Sequence, residues 1–439
     1  MQPAIKRNEF TKRRQKLMDL MGENSIAIIP SAHEIIRSRD THFSFRQDSD
    51  FFYLSGFNEP DSVMVLIPGR KHGEYVMFNR EKDLDSETWH GRRSGQEGVE
   101  QDYSVNDAFP IDDIDDILPG LLEGRDKIFY ALGANHTFDE QVMSWINSLR
   151  GKVHQGALPV GEMIDIRHLL HDMRLFKSSA EVQMMRQAAE ISAKAHIVAM
   201  KSTQAGKYEW QVEADLHHQM ATAGCRFQAY SSIVAGGDNA CILHYTENQD
   251  KLKAKEMLLI DAGGEYQGYA ADITRTFPIN GKFSRTQKKL YQLVLDAQLA
   301  AIETIKPGSD WSKPHKAAVE VLTEGMINLG LLKGRLSTLI KKQAYLKYYM
   351  HKTGHWLGLD VHDVGDYRIG GHPRALEAGM VMTVEPGIYI PKDDKKAPKE
   401  FLGIGIRIED DVLVTDSGYD ILSKDVPKTI PEIEEIMAA

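Results

Sequence analysis

Cysteine is nearly missing from this chain. Cys225 and Cys241 are the only two among 439 residues, which excludes a disulfide-built scaffold and fits reduced thiols in a cytoplasmic protein. Long apolar runs are also missing: nothing approaches the roughly 20 residues that a helical membrane span needs, so no membrane partner is expected. Met1-Gln2-Pro3-Ala4-Ile5-Lys6-Arg7 carries basic residues with no apolar stretch behind them, so no secretory signal is expected there. An excess of base is lacking too. Lys and Arg number 53 against 63 Asp and Glu, a net charge of -10, which argues against a nucleic-acid binder driven by counterion release. No internal repeat or low-complexity tract stands out.

What is present is ordinary globular composition, with 42% apolar and 26% charged residues. The length exceeds one comfortable core, so two domains are expected, 1–172 and 173–439. In the first, Ser25-Ile26-Ala27-Ile28-Ile29-Pro30, Val63 to Gly69 and Tyr75-Val76-Met77-Phe78 read as strands, and Ile114 to Leu122 as a helix. That alternation predicts an α/β domain. At Ser178-Ser179-Ala180-Glu181 a capping box starts a helix, with Val182, Met185, Ala189 and Ser192 as its apolar stripe.

Beyond Arg226 the pattern turns strand-rich. Glu256 to Asp261, a glycine turn at Gly263-Gly264-Glu265, and Tyr266 to Phe277 predict a hairpin with Asp272 on its returning strand. An acid after four apolar residues, as at Asp261, is costly to bury unless it is paired or binds a cation. Taken alone, either acid could instead cap a turn or pair with Arg275. Three histidines, His351, His355 and His362, then fall within twelve residues amid glycines, which favours metal ligation with proton handling. Glu385 closes the apolar run Val381 to Val384. In Gly403 to Val414, read as one strand, alternation puts Gly405, Arg407 and Glu409 on one face, open above Gly405 to a ligand.

Four strand-borne carboxylates with one imidazole suit hard or borderline cations: manganese, or else cobalt or zinc. Four carboxylates balance two divalent ions, and a pair about 3.5–4 Å apart can hold a bridging hydroxide and polarise a carbonyl.

These residues resemble the pita-bread metallopeptidases, the family of methionine aminopeptidase, prolidase and aminopeptidase P. The likeness is carried by Cys241-Ile242-Leu243-His244-Tyr245-Thr246-Glu247-Asn248, Asp272-Ile273-Thr274-Arg275-Thr276-Phe277-Pro278, His355 to Asp363, Val384-Glu385-Pro386-Gly387 and Gly405 to Asp411. In the N-terminal part, Gln47 to Phe57 and Trp89-His90-Gly91-Arg92-Arg93 add to it. The resemblance is to the aminopeptidase P branch and implies an α+β fold, an α/β domain followed by a pita-bread catalytic domain with a curved antiparallel sheet.

It further implies that Asp261 binds one metal and that His355 and Glu385 bind the other, with Asp272 and Glu409 bridging. Glu385 would accept the proton of the attacking water, and His244 and His362 would steady the tetrahedral oxygens. Tyr230, His351, Arg407 and Trp89 would contact the substrate, a peptide with proline in second position. A manganese-activated homotetramer, or a dimer, is implied. Lys352-Thr353-Gly354 departs from that branch, which has a less basic triplet. Prolidase chemistry on Xaa-Pro dipeptides is the nearest alternative, because Arg407 could instead hold a free proline carboxylate. A non-catalytic peptide-binding module would have lost ligands, and none is missing.

Overall fold

A computed structural model describes residues 4–438. The chain divides into two compact units, Ile5–Met173 and the part from Arg174 onward.

The first unit is built on a six-stranded mixed sheet. Its order is Asp107–Pro110, Tyr75–Asn79, Val63–Leu66, Ser25–Pro30, Lys127–Tyr130 and Glu162–Asp165. Val63–Leu66 is antiparallel to both neighbours, and the other pairings are parallel. The central strands are apolar on both faces because helices and loops cover both. Ile26, Ile28, Val65, Val76, Phe78 and Ile128 pack on Leu118 and Leu122 of the helix Ile114–Leu122. Val142, Trp145 and Leu149 of the helix His136–Gly151 complete that core.

The second unit opens with the helix Ser179–Ser202. Ser178 accepts from the Glu181 amide and Glu181 accepts from the Ser178 amide, so the capping box forms as its residues predict. Met185, Ala189 and Ser192 are buried, while Val182 is only half-buried. This helix and Glu209–Ala223 precede the first sheet, in which Met257–Asp261 lies between Ile233–Gly236 and Thr274–Pro278, antiparallel to both.

The hairpin predicted here takes another form. The turn falls at Gln267-Gly268, whose φ values of 53° and 85° suit a tight two-residue reversal. It joins two short strands, Gly264–Tyr266 and Tyr269–Ala270. Asp272 therefore sits in a three-residue break before Thr274–Pro278, not on a strand. Gly263 makes this possible, since a Cβ there would lie 1.7 Å from the Ala271 carbonyl oxygen. No other residue tolerates that approach.

The run 403–414 is likewise two strands. Ile404–Arg407 pairs with Gly387–Ile390, and Asp410–Val414 pairs with Val381–Val384. The facing segment breaks at Glu385-Pro386, where proline offers no N–H, and this one breaks opposite it at Ile408-Glu409. There Ile408 N–H turns to the Pro386 carbonyl and Glu409 N–H to that of Thr274. Glu385 and Glu409 thus stand at matched breaks of two paired segments. The face above Gly405 is closed, whereas strand alternation predicts it open to a ligand. A Cβ at that position would meet the Ala240 carbonyl oxygen at 2.3 Å, so the glycine serves backbone packing.

Candidate metal centre

A cleft of about 370 Å³ is lined by Leu243, His244, Asp261, Asp272, His351, Lys352, Gly354, His355, His362, Tyr367, Glu385, Arg407 and Glu409. Nine of the candidate site residues therefore share one cavity, within the usual size of small-molecule sites. Tyr230 joins them through its hydroxyl, which lies 2.6 Å from Asp261 Oδ1 and 2.5 Å from Asp272 Oδ1 and can share its one proton between them. Trp89 stands in the other unit, exposed on the helix Leu84–His90.

Strand breaks and strand ends aim the acids. Asp261 ends Met257–Asp261 and faces Thr274 across the ladder. Asp272 is held by its amide, which donates to the Asp411 carboxylate at 3.2 Å and 3.3 Å. Glu409 accepts from Thr274 Oγ1 at 2.7 Å. His355 turns one ring nitrogen, Nδ1, to the Trp356 carbonyl at 2.9 Å. That leaves Nε2 facing Asp272 Oδ2 at 3.4 Å and Glu385 Oε1 at 3.9 Å. One oxygen each from Asp272 and Glu409 and a His355 nitrogen lie within 4.8 Å of one another.

The charges here are poorly balanced. Asp261, Asp272 and Glu409 are buried and Glu385 is half-buried, yet of the two permanent cations among the described residues lining the cleft, Arg407 and Lys352, it is Arg407 that bonds to one of these acids, Asp261. Burial, with Asp272, Glu385 and Asp261 close by, pushes Glu409 well above the usual carboxylate range against the pull of Arg407. Burial raises Glu385 to about 7 although His355 and Arg407 oppose it. Asp261 is raised by burial against the pull of Arg407. Burial would raise Asp272, but the hydrogen bond and charge of His355, together with Tyr230 and Arg407, bring it below its ordinary value. His355 itself rises to about 9 under the same carboxylates, although burial opposes this. Buried acids that share so few counter-charges have the donor chemistry of a site for hard divalent cations, and the oxygen-rich set with one imidazole fits such ions.

Arg407 is already engaged. Its guanidinium donates to Asp261 Oδ2 at 2.5 Å, to the Tyr389 hydroxyl at 3.0 Å and to Thr274 Oγ1 at 3.2 Å. The Tyr389 hydroxyl also meets His351 Nε2 at 2.8 Å. Burial and the Arg407 charge press His351 down to about 3, so it stands neutral. Thr274 and Tyr389 were not singled out in the sequence. Thr274 sits in the Asp272-Ile273-Thr274 motif, which was the available signal, whereas Tyr389 carried none. Arg275, considered as a partner for the strand acids, turns away from them to Asp410 at 2.7 Å.

A family model for metallopeptidase family M24 matches residues 183–416, and one for the aminopeptidase P N-terminal domain matches residues 10–130. The chain belongs to metallopeptidase family M24. The Xaa-Pro aminopeptidase of Escherichia coli strain K12 is 43% identical over 436 residues, spanning 99% of this chain and 98% of that protein. Its Haemophilus influenzae counterpart is 43% identical over 433 residues, with the same shares covered. Among solved structures, an aminopeptidase of Pseudomonas aeruginosa superposes with a TM-score of 0.99 at 55% identity, over 100% of this chain and 99% of that one. Zinc-substituted E. coli aminopeptidase P in complex with product gives 0.96 at 43% identity, over 99% and 98%.

Proposed function

We propose that the chain is a Xaa-Pro aminopeptidase, a metal-dependent hydrolase that cleaves the bond between an N-terminal residue and a following proline. The observation that carries the reading is the cluster of under-compensated buried acids opening on one cleft. The full-length likeness to Xaa-Pro aminopeptidases supports it.

In this reading Asp261, Asp272, His355, Glu385 and Glu409 would hold two divalent cations, with Asp272 and Glu409 as the shared ligands. Manganese is the first choice of ion, then cobalt or zinc. The ions supply Lewis acidity and a water made acidic at neutral pH. Glu385, a carboxylate lining the cleft, would accept the attacking water's proton and pass it to the departing prolyl nitrogen. That nitrogen is a tertiary amide without its own N–H and must gain a proton to leave. His244 and His362, exposed at the cleft, donate toward the oxygen on which negative charge grows. Tyr230, kept protonated by burial beside Asp261 and Asp272, orients those two acids. Tyr230, His351 and Arg407 contact the peptide.

The three bonds from Arg407 to Asp261, Tyr389 and Thr274 favour a peptide over a dipeptide substrate. They commit the guanidinium to the protein, away from a free proline carboxylate. Rates on Xaa-Pro against Xaa-Pro-Yaa test this. The longer peptide is expected to be the better substrate, and clear preference for the dipeptide would point to prolidase instead. The working form is a cytoplasmic homotetramer or dimer, which sizing under native conditions would check.

A further inference from the structure

The segment Trp356–Asp363 carries His355 on one flank and His362 near the other, and their ring centroids are 4.3 Å apart. Its fold is organised around one buried carboxylate. Asp363 Oδ1 accepts from Arg174 Nη2 at 2.6 Å, and Oδ2 accepts from Lys177 Nζ at 2.8 Å. Arg174 reaches Asp360 as well, at 2.8 Å. The Asp363 carboxylate also accepts the Asp360 amide at 3.4 Å, and the Asp363 amide donates to the Trp356 carbonyl at 2.9 Å. Side chains of Arg174, Lys177 and Asp363 are at most 3% exposed. A Cβ at Gly358 would lie 2.1 Å from Asp363 Oδ2, so the loop closes directly onto the charge.

The cations come from firm ground. Lys177 immediately precedes the capping box of Ser179–Ser202, and its amide donates to the Gly379 carbonyl at 2.8 Å. Ion pairs excluded from water this fully are strong only when the geometry is held on both sides, and here it is.

We infer that Asp363, clamped between Arg174 and Lys177, is a positioning residue that fixes His362 beside His355 for the reaction. The inference rests on the role proposed above for His362. The carboxylate itself touches no reacting group. It holds the backbone one residue from the imidazole, where misplacement by about 1 Å can cost on the order of a hundredfold in rate.

The test is a double-mutant cycle on the manganese-loaded enzyme, using Asp363→Asn, His362→Ala and the pair, with kcat and KM measured on a Xaa-Pro-Yaa peptide. Asp363→Asn keeps the shape and loses the charge. It is expected to lower kcat about 10- to 100-fold with KM within threefold and bound manganese unchanged. In the His362→Ala background the same change is expected to cost under threefold, because the group it positions is gone. Equal losses in both backgrounds, or no loss in the single variant, would overturn the inference. Unchanged turnover in His362→Ala alone would instead break the role given to that histidine. If Asp363→Asn does not fold, Lys177→Met enters the same cycle with the same criteria. It leaves the carboxylate paired with Arg174.

Discussion

Glu409 and Asp410 are neighbours in the chain, both buried, and they live in opposite electrostatic worlds. Asp410 is satisfied by the protein: Arg275, Lys428, Gln298 and Ser423 each donate to it at 2.7 Å. Burial alone would raise it, but Arg275 and Lys428 outweigh burial and hold it well below the usual range. Glu409 has Thr274 as its donor and three other acids for company, and it is pushed well up. The split falls at the strand break: Asp410 opens the strand Asp410–Val414 and meets Gln298 of the helix Arg285–Ile302, whereas Glu409 sits in the break and lines the cleft. A carboxylate that the fold neutralises is structural. One that the fold leaves unpaid is waiting for a cation from solution.

The comparison fails or holds on substitutions at either side. Asp272→Ala or Glu409→Ala should abolish hydrolysis and divalent-ion binding together, read by turnover and metal content after gel filtration. The chelated Glu409→Ala variant should melt no lower than the chelated parent, because it removes an acid that burial and its like-charged neighbours disfavour. Next in size, Glu385→Gln should slow turnover by about 10²–10⁴-fold with little change in melting temperature.

On the other side, Asp410→Ala leaves Arg275 buried without its carboxylate, and should destabilise the fold by about 3–5 kcal/mol in denaturant titration. The folded fraction should still bind metal. The pH dependence carries the same sign. With its folded value depressed, Asp410 contributes stability above its ordinary 3.8, and that contribution is lost as pH falls below it, where the unfolded chain takes up the proton first. Asp410→Asn should therefore flatten the loss of stability between about pH 4 and pH 2, seen in urea midpoints. Smallest of all is an exposed pair such as Arg7–Asp102, 2.7 Å apart. Arg7→Ala should change stability by about 0–1 kcal/mol.

Much of this is legible in the sequence, and the exceptions have a common cause. Asp261, Asp272, Glu385 and Glu409 stand out because acids within apolar runs are costly unless used, while His355 is picked from its neighbouring histidines by the family resemblance. Ser178 and Glu181 declare a helix start because a capping box is local. Where the chain bends is less visible. The breaks at Ala271–Ile273 and Ile408-Glu409 depend on a carbonyl passing under Gly263 and on the matching interruption at Pro386. Neither leaves a mark in the alternation of residues. The partners of Arg275 and of Asp363 are likewise invisible, since Arg275 meets Asp410 and Arg174 meets Asp363 across more than a hundred residues. A one-dimensional pattern names the charges but not which of them will be neutralised.

The central claim is that the acids around Glu409 are balanced by two divalent ions that the reaction requires. The direct measurement is calorimetric titration of the chelated protein with manganese, with turnover of a Xaa-Pro-Yaa peptide followed in parallel. Two ions bound per chain, with activity returning as they bind, is the expected result. Full activity in the chelated protein, or no bound ion at saturating manganese, would contradict it.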